Sequence, residues 1–496
     1  MITAEIGIVW AAALPLIGAF LVMLTGSRPN VREAVTFGVA ISTAVLVFQL
    51  IPYATTAQSL RVDLVHVLPG LSLAFALEPL GMLYACVASG LWIVTSCYAV
   101  GYMRAHKEQN QTRFFACFAL SIFGALGIAF SANLLTLFLF YEILTFATYP
   151  LVTHHGTPQA LRGGRIYLGI LVFTSVVGLL FAVLWTWQLT GTLEFNIAGI
   201  LADKAPIEVL PILLAFFAFG TGKAALMPFH RWLPNAMVAP TPVSALLHAV
   251  AVVKAGVFTV LKVIVYVFGI DLLTQTDASV WLCYVAAFTL LVASAIAIMQ
   301  DNLKARLAYS TISHLSYIVL GAALASREGV LGSGMHIAMH AVAKITLFFC
   351  AGAIYITAHK TKVSELNGLG RQMPLTMLAF LLGSLSLIGL PPFGGLWSKW
   401  YLALGAGTSN EYFFIFVLMA SSLLSIAYLM PVVGRAFFFA PKLKSVGSAA
   451  VADGIKEAPI LCLAPLCVTA VGTVVLFFFA EPIYELLLPV AEGSAR

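Results

Sequence analysis

Long apolar runs separated by short polar loops occupy most of the chain. A run of about 20 apolar residues is long enough to cross the hydrocarbon core of a bilayer as an α-helix. The sequence therefore predicts an all-α polytopic membrane protein with about 14 transmembrane helices. The predicted spans lie near residues 4–26, 33–53, 77–101, 113–130, 133–152, 165–189, 207–226, 242–269, 279–300, 306–325, 330–357, 374–408, 411–438 and 458–486.

Glycine and proline interrupt two of these runs, near 220–234 and 389–398. Broken helices are tolerated in a membrane where protein or a cavity satisfies the freed backbone groups, and they are typical of transporters. Because the breaks lie five spans apart and an odd number of helices inverts the next copy, we predict two inverted five-helix repeats.

The predicted repeats divide the chain into four parts. Residues 1–111 hold three transmembrane helices, 112–270 the first five-helix repeat, 271–440 the second, and 441–496 a C-terminal transmembrane helix. Lys223 lies in the first break, behind about a dozen apolar residues. We predict that it faces a pore; the alternative is a lysine near a helix end that extends its ammonium group to the headgroups.

The charge distribution supports this topology. The 496 residues are 61% hydrophobic and only 9% charged, whereas soluble domains carry about 25% charged residues. With the N-terminus outside, fourteen spans put four basic residues outside, Arg61, Lys204, Arg327 and Arg496. The other side receives seventeen: Arg28, Arg32, Arg104, Lys107, Arg113, Arg162, Arg165, Arg231, Lys304, Arg306, Lys360, Lys362, Arg371, Arg435, Lys442, Lys444 and Lys456.

This asymmetry follows the positive-inside rule, by which the basic side faces the cytoplasm. We therefore predict a bacterial cytoplasmic membrane protein with both termini on the outer side. The formal charge of +6 is explained by these loops and requires no nucleic acid partner.

Ionisable side chains also occur inside the predicted spans, where a charge costs about 3 kcal/mol. Such residues usually face a water-filled interior and carry function. Burial and neighbouring charges shift the pKa of a lysine, histidine or carboxylate, so each group can pass a proton to the next. We predict a proton relay along the midplane made of Glu142, Lys223, His248, Lys254, His314, His336, His340, Lys344 and Lys399.

Simpler roles are open for some of these positions. Lys262, two turns beyond Lys254, is expected to extend to the headgroups. His314 could be only a hydrogen-bond donor to a neighbouring helix. The run of His336, His340 and Lys344 at intervals of four could bind a metal or haem, but a charged lysine is no ligand and no carboxylate shares the face. We therefore predict no metal and no cofactor.

Several motifs resemble those of the antiporter-like subunits shared by respiratory complex I and the Mrp-type sodium/proton antiporters. The resemblance spans nearly the whole chain. It rests on Tyr141-Glu142, Gly222-Lys223, PFHRWLP at 228–234, APTPVSALLHA at 239–249, Lys254-Ala255-Gly256, DNLKARLAYSTISH at 301–314, His336 to Lys344, and GLPP at 389–392.

The resemblance implies residue roles and partners. Glu142 and Lys223 would face one half-channel, and Lys399 the exit half-channel. The connection between them would be formed by Lys254, His336, His340 and Lys344. Most members have lysine at the place of Lys399, and one complex I member has glutamate. The length and ending are most similar to the D-type member of an Mrp antiporter, which implies other membrane subunits as partners.

We therefore expect a proton-translocating subunit of a multi-subunit antiporter that exchanges sodium or potassium for protons. The alternative is a proton-pumping subunit of a complex I-like quinone oxidoreductase or a membrane-bound hydrogenase. A third possibility is a non-conducting scaffold, against which the retained and costly membrane charges argue. The residues named above do not separate antiport from redox-driven pumping, because one relay serves both.

Overall fold

The computed structural model describes residues 4–54, 60–440 and 454–493, and these fold into a helical bundle. The α-helices are α1 Ala4–Leu24, α2 Pro29–Gln49, α3 Ile51–Ala54, α4 Pro79–Ala105, α5 Gln111–Ala129, α6 Leu134–Val152, α7 Pro158–Thr174, α8 Phe181–Thr190, α9 Leu210–Gly220, α10 Trp232–Asn235, α11 Thr241–Ala245, α12 Val252–Val263, α13 Ile270–Thr276, α14 Val280–Met299, α15 Leu303–Ala323, α16 Arg327–Ala358, α17 Leu369–Gln372, α18 Pro374–Ile388, α19 Gly395–Thr408, α20 Tyr412–Phe438, α21 Ile460–Phe478 and α22 Glu481–Ala491.

Shorter helical turns join some of these helices into continuous rods. Turns of π-helix occur at Ser175–Leu180, Leu246–Val250 and Ile264–Phe268. Turns of 3-10 helix occur at Ile207–Val209, Gly222–Ala224, Phe229–Arg231, Ala236–Val238 and Val363–Glu365.

The predicted polytopic, mainly α-helical fold is confirmed. Eleven helices of the described chain are long and apolar enough to cross a membrane. The other three predicted spans correspond to α9, to α15, and to α18 with α19. The spans at α9 and at α18 with α19 are broken, so their helices are short. The span at α15 carries hydroxyl and histidine side chains, which make it less apolar. Two packed helices precede each broken helix: α5 and α6 before the first, and α14 and α15 before the second. This arrangement is consistent with two repeats, and their inverted relation stays a prediction.

Both breaks occur where the sequence predicted them. After α9 ends, Ala225 adopts a left-handed backbone with φ of 55°. After α18 ends, Gly389 has φ of 91°, a conformation that glycine adopts without the steric cost of a side chain. The chain resumes as a helix at the start of α19, so Lys399 lies in the first turns after the second break.

Two regions differ from the expected all-helical pattern. Residues predicted as the loop between spans two and three contain an antiparallel hairpin, β1 Arg61–Leu68 and β2 Leu71–Ala76, whose turn is Pro69-Gly70. The predicted last span is divided into α21 and the short α22, which packs against α4 and α16. Lys442, Lys444 and Arg496 of the charge count lie outside the described residues.

The helices that hold most of the charged relay residues are enclosed by other helices. In the most apolar stretch of residues 241–268 every residue is buried, and in that of α16 94% are, whereas in α21 only 33% are. The outer helices therefore separate the buried lysines and histidines from lipid, which removes much of the cost of a charge at this depth.

Candidate functional site

Tyr141 and Thr145 hold the lysine of the first break. The Lys223 ammonium is fully buried and donates hydrogen bonds to the Tyr141 carbonyl oxygen at 2.7 Å and to Thr145 Oγ1 at 2.6 Å. It also lies 3.1 Å from the centroid of the Tyr141 ring. The Lys223 backbone N–H donates to the Tyr141 hydroxyl at 3.0 Å. One residue of α6 therefore positions both the backbone and the side chain of Lys223.

Glu142 lies beside this contact without joining it. None of the ion pairs within 4.0 Å among the described residues connects Glu142 to Lys223. Glu142 Oε1 is buried and has no hydrogen-bond partner in the described chain. In this structure neutral oxygens contact the ammonium, and direct pairing of the two charges stays a prediction.

A glycine allows α12 to pack directly on the first break. A Cβ atom at Gly256 would lie 2.2 Å from the Lys223 carbonyl carbon and 2.3 Å from the Ala224 nitrogen, which is shorter than any real contact. On the far side, the Trp232 indole N–H donates to the Gly222 carbonyl oxygen at 2.9 Å. The Lys254-Ala255-Gly256 motif therefore has a steric reason: it brings the backbone of α12 against that of Lys223.

Lys254 begins a row of buried titratable groups. Its Nζ lies 2.5 Å from His340 Nδ1, and the ring centroids of His340 and His314 are 5.4 Å apart. His314 Nδ1 lies 3.3 Å from His336 Nε2. His314 thus belongs to a cluster of three histidines, and its role in proton transfer stays a prediction. Nε2 of both His314 and His340 has no partner in the described chain.

The row continues to the second break. His336 Nδ1 lies 2.8 Å from Ser398 Oγ, and the next residue is Lys399. The Lys399 ammonium donates to the Ile388 carbonyl oxygen and to Ser422 Oγ, both at 2.9 Å, and lies 4.9 Å from the centroid of the Tyr317 ring. A row of contacts therefore leads from Lys254 through α16 and α15 to Ser398, which precedes Lys399 in α19.

Two predicted relay residues lie beside this row. Lys344 donates to Ser310 Oγ at 2.6 Å and to the Leu307 carbonyl oxygen at 3.3 Å, so its hydrogen bonds lead toward α15. His248, in the π-helical turn before α12, has no partner at either ring nitrogen within the described chain, and its ring lies 4.6 Å from that of Phe348.

Within the described residues, no group of histidine, cysteine and carboxylate side chains has the arrangement of a metal site.

Lys262 does not reach toward the headgroups, as the sequence suggested. It is fully buried, its Nζ lies 2.9 Å from Glu78 Oε2, and it donates to the Ser131 carbonyl oxygen at 2.7 Å. The ring of Phe195 lies 4.3 Å from the ammonium. The expectation was wrong because the compensating carboxylate is distant in sequence, at the start of α4.

Sequence reasoning named the charged groups and missed the neutral groups that hold them. Thr145 lies one turn after Tyr141 on α6, Ser398 precedes Lys399, and Ser310 lies one turn before His314. The spacing of four residues was a usable signal, because such residues share a helix face. The position of Glu78 left no comparable signal.

These features define a class of polytopic membrane protein in which a buried row of lysines and histidines connects two broken helices. The family model described as NADH:quinone oxidoreductase/Mrp antiporter, TM, matches residues 131–425. NADH-quinone oxidoreductase subunit N of Desulforudis audaxviator is 32% identical over 423 residues, which cover 84% of each chain. The chain belongs to this family of antiporter-like membrane subunits.

Other similar proteins differ in length or are more distant in sequence. NAD(P)H-quinone oxidoreductase chain 5 of Synechocystis is 30% identical over 66% of this chain, which spans 49% of that protein. A chain of the Mrp complex from Dietzia sp. DQ12-45-1b superposes with a TM-score of 0.87 and 21% identity, over 99% of this chain and 97% of that one.

A chain of an archaeal membrane-bound sulfane sulfur reductase has the same fold. It superposes with a TM-score of 0.83 and 23% identity, over 99% of this chain and 98% of that one. At this identity both superpositions show that the fold is shared.

Glu78 and Lys262 give a first prediction. Glu78→Gln leaves a buried ammonium without its counter-charge, a change that costs about 3 kcal/mol or more when a buried pair is broken. We expect the unfolding midpoint of the detergent-solubilised protein to fall, and the double change with Lys262→Met to recover most of the loss. Exposed Glu5→Gln is the control. A double variant less stable than Glu78→Gln would contradict a compensating pair.

Glu142 gives a second prediction. If its charge keeps Lys223 protonated during turnover, Glu142→Asp should retain part of the ion-coupled proton movement and Glu142→Gln little, because glutamine keeps the shape and removes the charge. The measurement is the rate of pH change in inverted membrane vesicles at equal protein content. Equal rates for Glu142→Gln and the unchanged protein would rule out the pairing.

Proposed function

We propose that this chain is the proton-translocating subunit of a multi-subunit antiporter that exchanges sodium or potassium for protons. The observation that carries the proposal is the row of short contacts from Lys254 through His340, His314 and His336 to Ser398, next to Lys399. Buried lysines and histidines at membrane depth are costly, and their usual role is ion or proton movement.

The histidines suit stepwise transfer. A neutral imidazole accepts a proton at one ring nitrogen and releases one from the other. His340 faces Lys254 with Nδ1, and its Nε2 has no hydrogen-bond partner in the described chain. His336 contacts His314 with Nε2 and Ser398 with Nδ1. His336 therefore bridges His314 and Ser398, and His340 has a second ring nitrogen that no group of the described chain contacts by a hydrogen bond.

The step between Lys223 and Lys254 differs from the others. The backbones touch at Gly256, yet the Lys223 ammonium is held by Tyr141 and Thr145 on α6. Transfer across this gap requires the ammonium to leave these two oxygens. We propose that this release is the controlled step, because the first break is disconnected from the row whenever Lys223 is bound to α6.

The proposed partners are other membrane subunits, and the proposed location is the bacterial cytoplasmic membrane with the basic side inward. The names of the relatives support a multi-subunit assembly, since they are subunits of quinone oxidoreductases or chains of membrane complexes. The charge asymmetry supports the orientation.

A second candidate is a proton-pumping subunit of a complex I-like quinone oxidoreductase. It is favoured by the relative from Desulforudis, a NADH-quinone oxidoreductase subunit that is similar over 84% of both chains. The isolated complex separates the two: a sodium or potassium gradient drives proton movement in an antiporter, whereas quinone reduction drives it in a redox pump.

Lys223 provides the main test of proton translocation. Lys223→Ala should lower the rate of ion-driven pH change in inverted vesicles by about 100-fold or more, the contribution typical of a positioned proton-transfer group. Lys223→Arg should not restore it, because a guanidinium stays protonated. Assembly of the complex is checked by native electrophoresis. Normal transport by an assembled Lys223→Ala complex would refute the proposal.

Lys399 tests the far end of the row. Lys399→Glu should keep measurable transport with an altered pH profile, because a carboxylate can also bind and release a proton. Lys399→Met has similar length, cannot titrate, and should abolish transport. The rate of pH change is measured for both variants across a range of pH. If Lys399→Met transports like the unchanged protein, the lysine has only a structural role there.

A further inference from the structure

Three histidines surround one carboxylate at the basic side of the bundle, the side that holds most loop lysines and arginines. Glu108 Oε1 lies 3.0 Å from His106 Nδ1 and 3.1 Å from His155 Nε2, and its Oε2 lies 3.7 Å from His154 Nε2. The Glu108 side chain is only 7% exposed, whereas those of His106 and His155 are 33% and 35% exposed. The cluster thus has a buried acceptor and two histidines in contact with solvent.

The loops that carry these residues bring them together from distant points. His106 and Glu108 follow α4, and the Glu108 backbone N–H donates to the Met103 carbonyl oxygen at 3.0 Å. His154 and His155 follow α6. Arg113 of α5 donates to the His154 carbonyl oxygen at 3.0 Å, which fixes this loop against α5. The structure places His154 in the interior, and its Nδ1 has no hydrogen-bond partner among the described residues.

A cavity of about 210 Å³ adjoins the cluster. Glu108 and His155 line it together with Lys304, Tyr355 and Thr241. This volume accommodates several water molecules, each of which occupies about 30 Å³ in the liquid. Polar side chains and room for water are the two requirements for a hydrated path.

Lys304 lines this cavity. Its ammonium donates to the Ala239 carbonyl oxygen at 2.6 Å. His248 has two ring nitrogens without a partner in the described chain. Thr241, which also lines the cavity, begins the helical rod that carries His248 about two turns further on.

The charges around Glu108 favour its ionised form and the protonated form of His155. Burial alone would raise the pKa of Glu108, but the hydrogen bond from His155 and the charges of the three histidines hold it below its usual value. The hydrogen bond to Glu108 raises the pKa of His155, despite its partial burial and the charge of Lys304. Other titratable or charged groups near the cluster are Arg113, Tyr102, Tyr355, whose ring lies 5.4 Å from that of His106, Lys304 and Lys360, which line the cavity, and Arg162 and Arg231, which share a second cavity with His155.

We propose that Glu108 with His106, His154 and His155 forms the site at which protons exchange between the basic side and the relay, by way of the cavity, Lys304 and His248. The inference rests on the proposed proton translocation. Binding and release use the same groups, so the site serves either direction of net movement. A merely structural carboxylate that ties two loops together is the competing explanation.

The test uses the assembled complex in inverted vesicles, whose outer solution bathes the basic side. In weak buffer, Glu108→Gln should lower the rate of ion-driven pH change about tenfold. This loss is smaller than the ~100-fold loss expected when a proton-transfer group is removed completely, because the three histidines remain. Added imidazole, a mobile proton carrier, should restore most of the rate. His155→Gln should show a smaller loss with the same rescue, and exposed Glu208→Gln on the opposite side should show none.

Two results would overturn this inference while leaving proton translocation intact. One is an assembled Glu108→Gln complex with the unchanged rate in weak buffer. The other is a loss that imidazole does not restore, which identifies a structural role. Lys223→Ala is measured in parallel and should lose transport at every imidazole concentration. This variant tests proton translocation itself, so failure of the surface site and failure of translocation give different results.

Discussion

The cost of placing an ammonium group in a membrane governs this architecture. Each such charge costs about 3 kcal/mol if it faces hydrocarbon, and the structure meets the cost by enclosure. The rods at residues 241–268 and α16 lie almost entirely inside protein. Lysines on them contact carbonyl and hydroxyl oxygens, a histidine nitrogen, or, for Lys262, a carboxylate. The outer helices can then remain purely apolar toward lipid.

The two broken helices satisfy the same constraint from the backbone side. A break frees carbonyl and N–H groups that cannot stay unpaired in a bilayer. In the first break, Trp232 and the Tyr141 hydroxyl satisfy such groups. In the second, the freed Ile388 carbonyl oxygen accepts from Lys399. Charged side chains and interrupted helices therefore occur together. The break supplies a free carbonyl oxygen for the ammonium, and the ammonium supplies a hydrogen-bond donor for that oxygen.

The sequence predicted more of the fold than of the site. Apolar run lengths and the distribution of basic loops located the spans, since both follow directly from bilayer thickness and the positive-inside rule. The partners of each charge were harder to predict, because they depend on contacts between distant segments. The pair of Glu78 and Lys262 shows this most clearly, because its members are far apart in sequence. His154 is a second example: it lies in a loop, and tertiary packing buries it.

The contact at Gly256 has a mechanical consequence. Because no atom separates the backbone of α12 from that of Lys223, the first break cannot shift toward α12 without displacing it. A displacement of α12 would move Lys254 relative to His340 on the uninterrupted α16. The glycine contact thus acts as a rigid linkage, through which a movement at the first break changes the distance over which the next proton must travel.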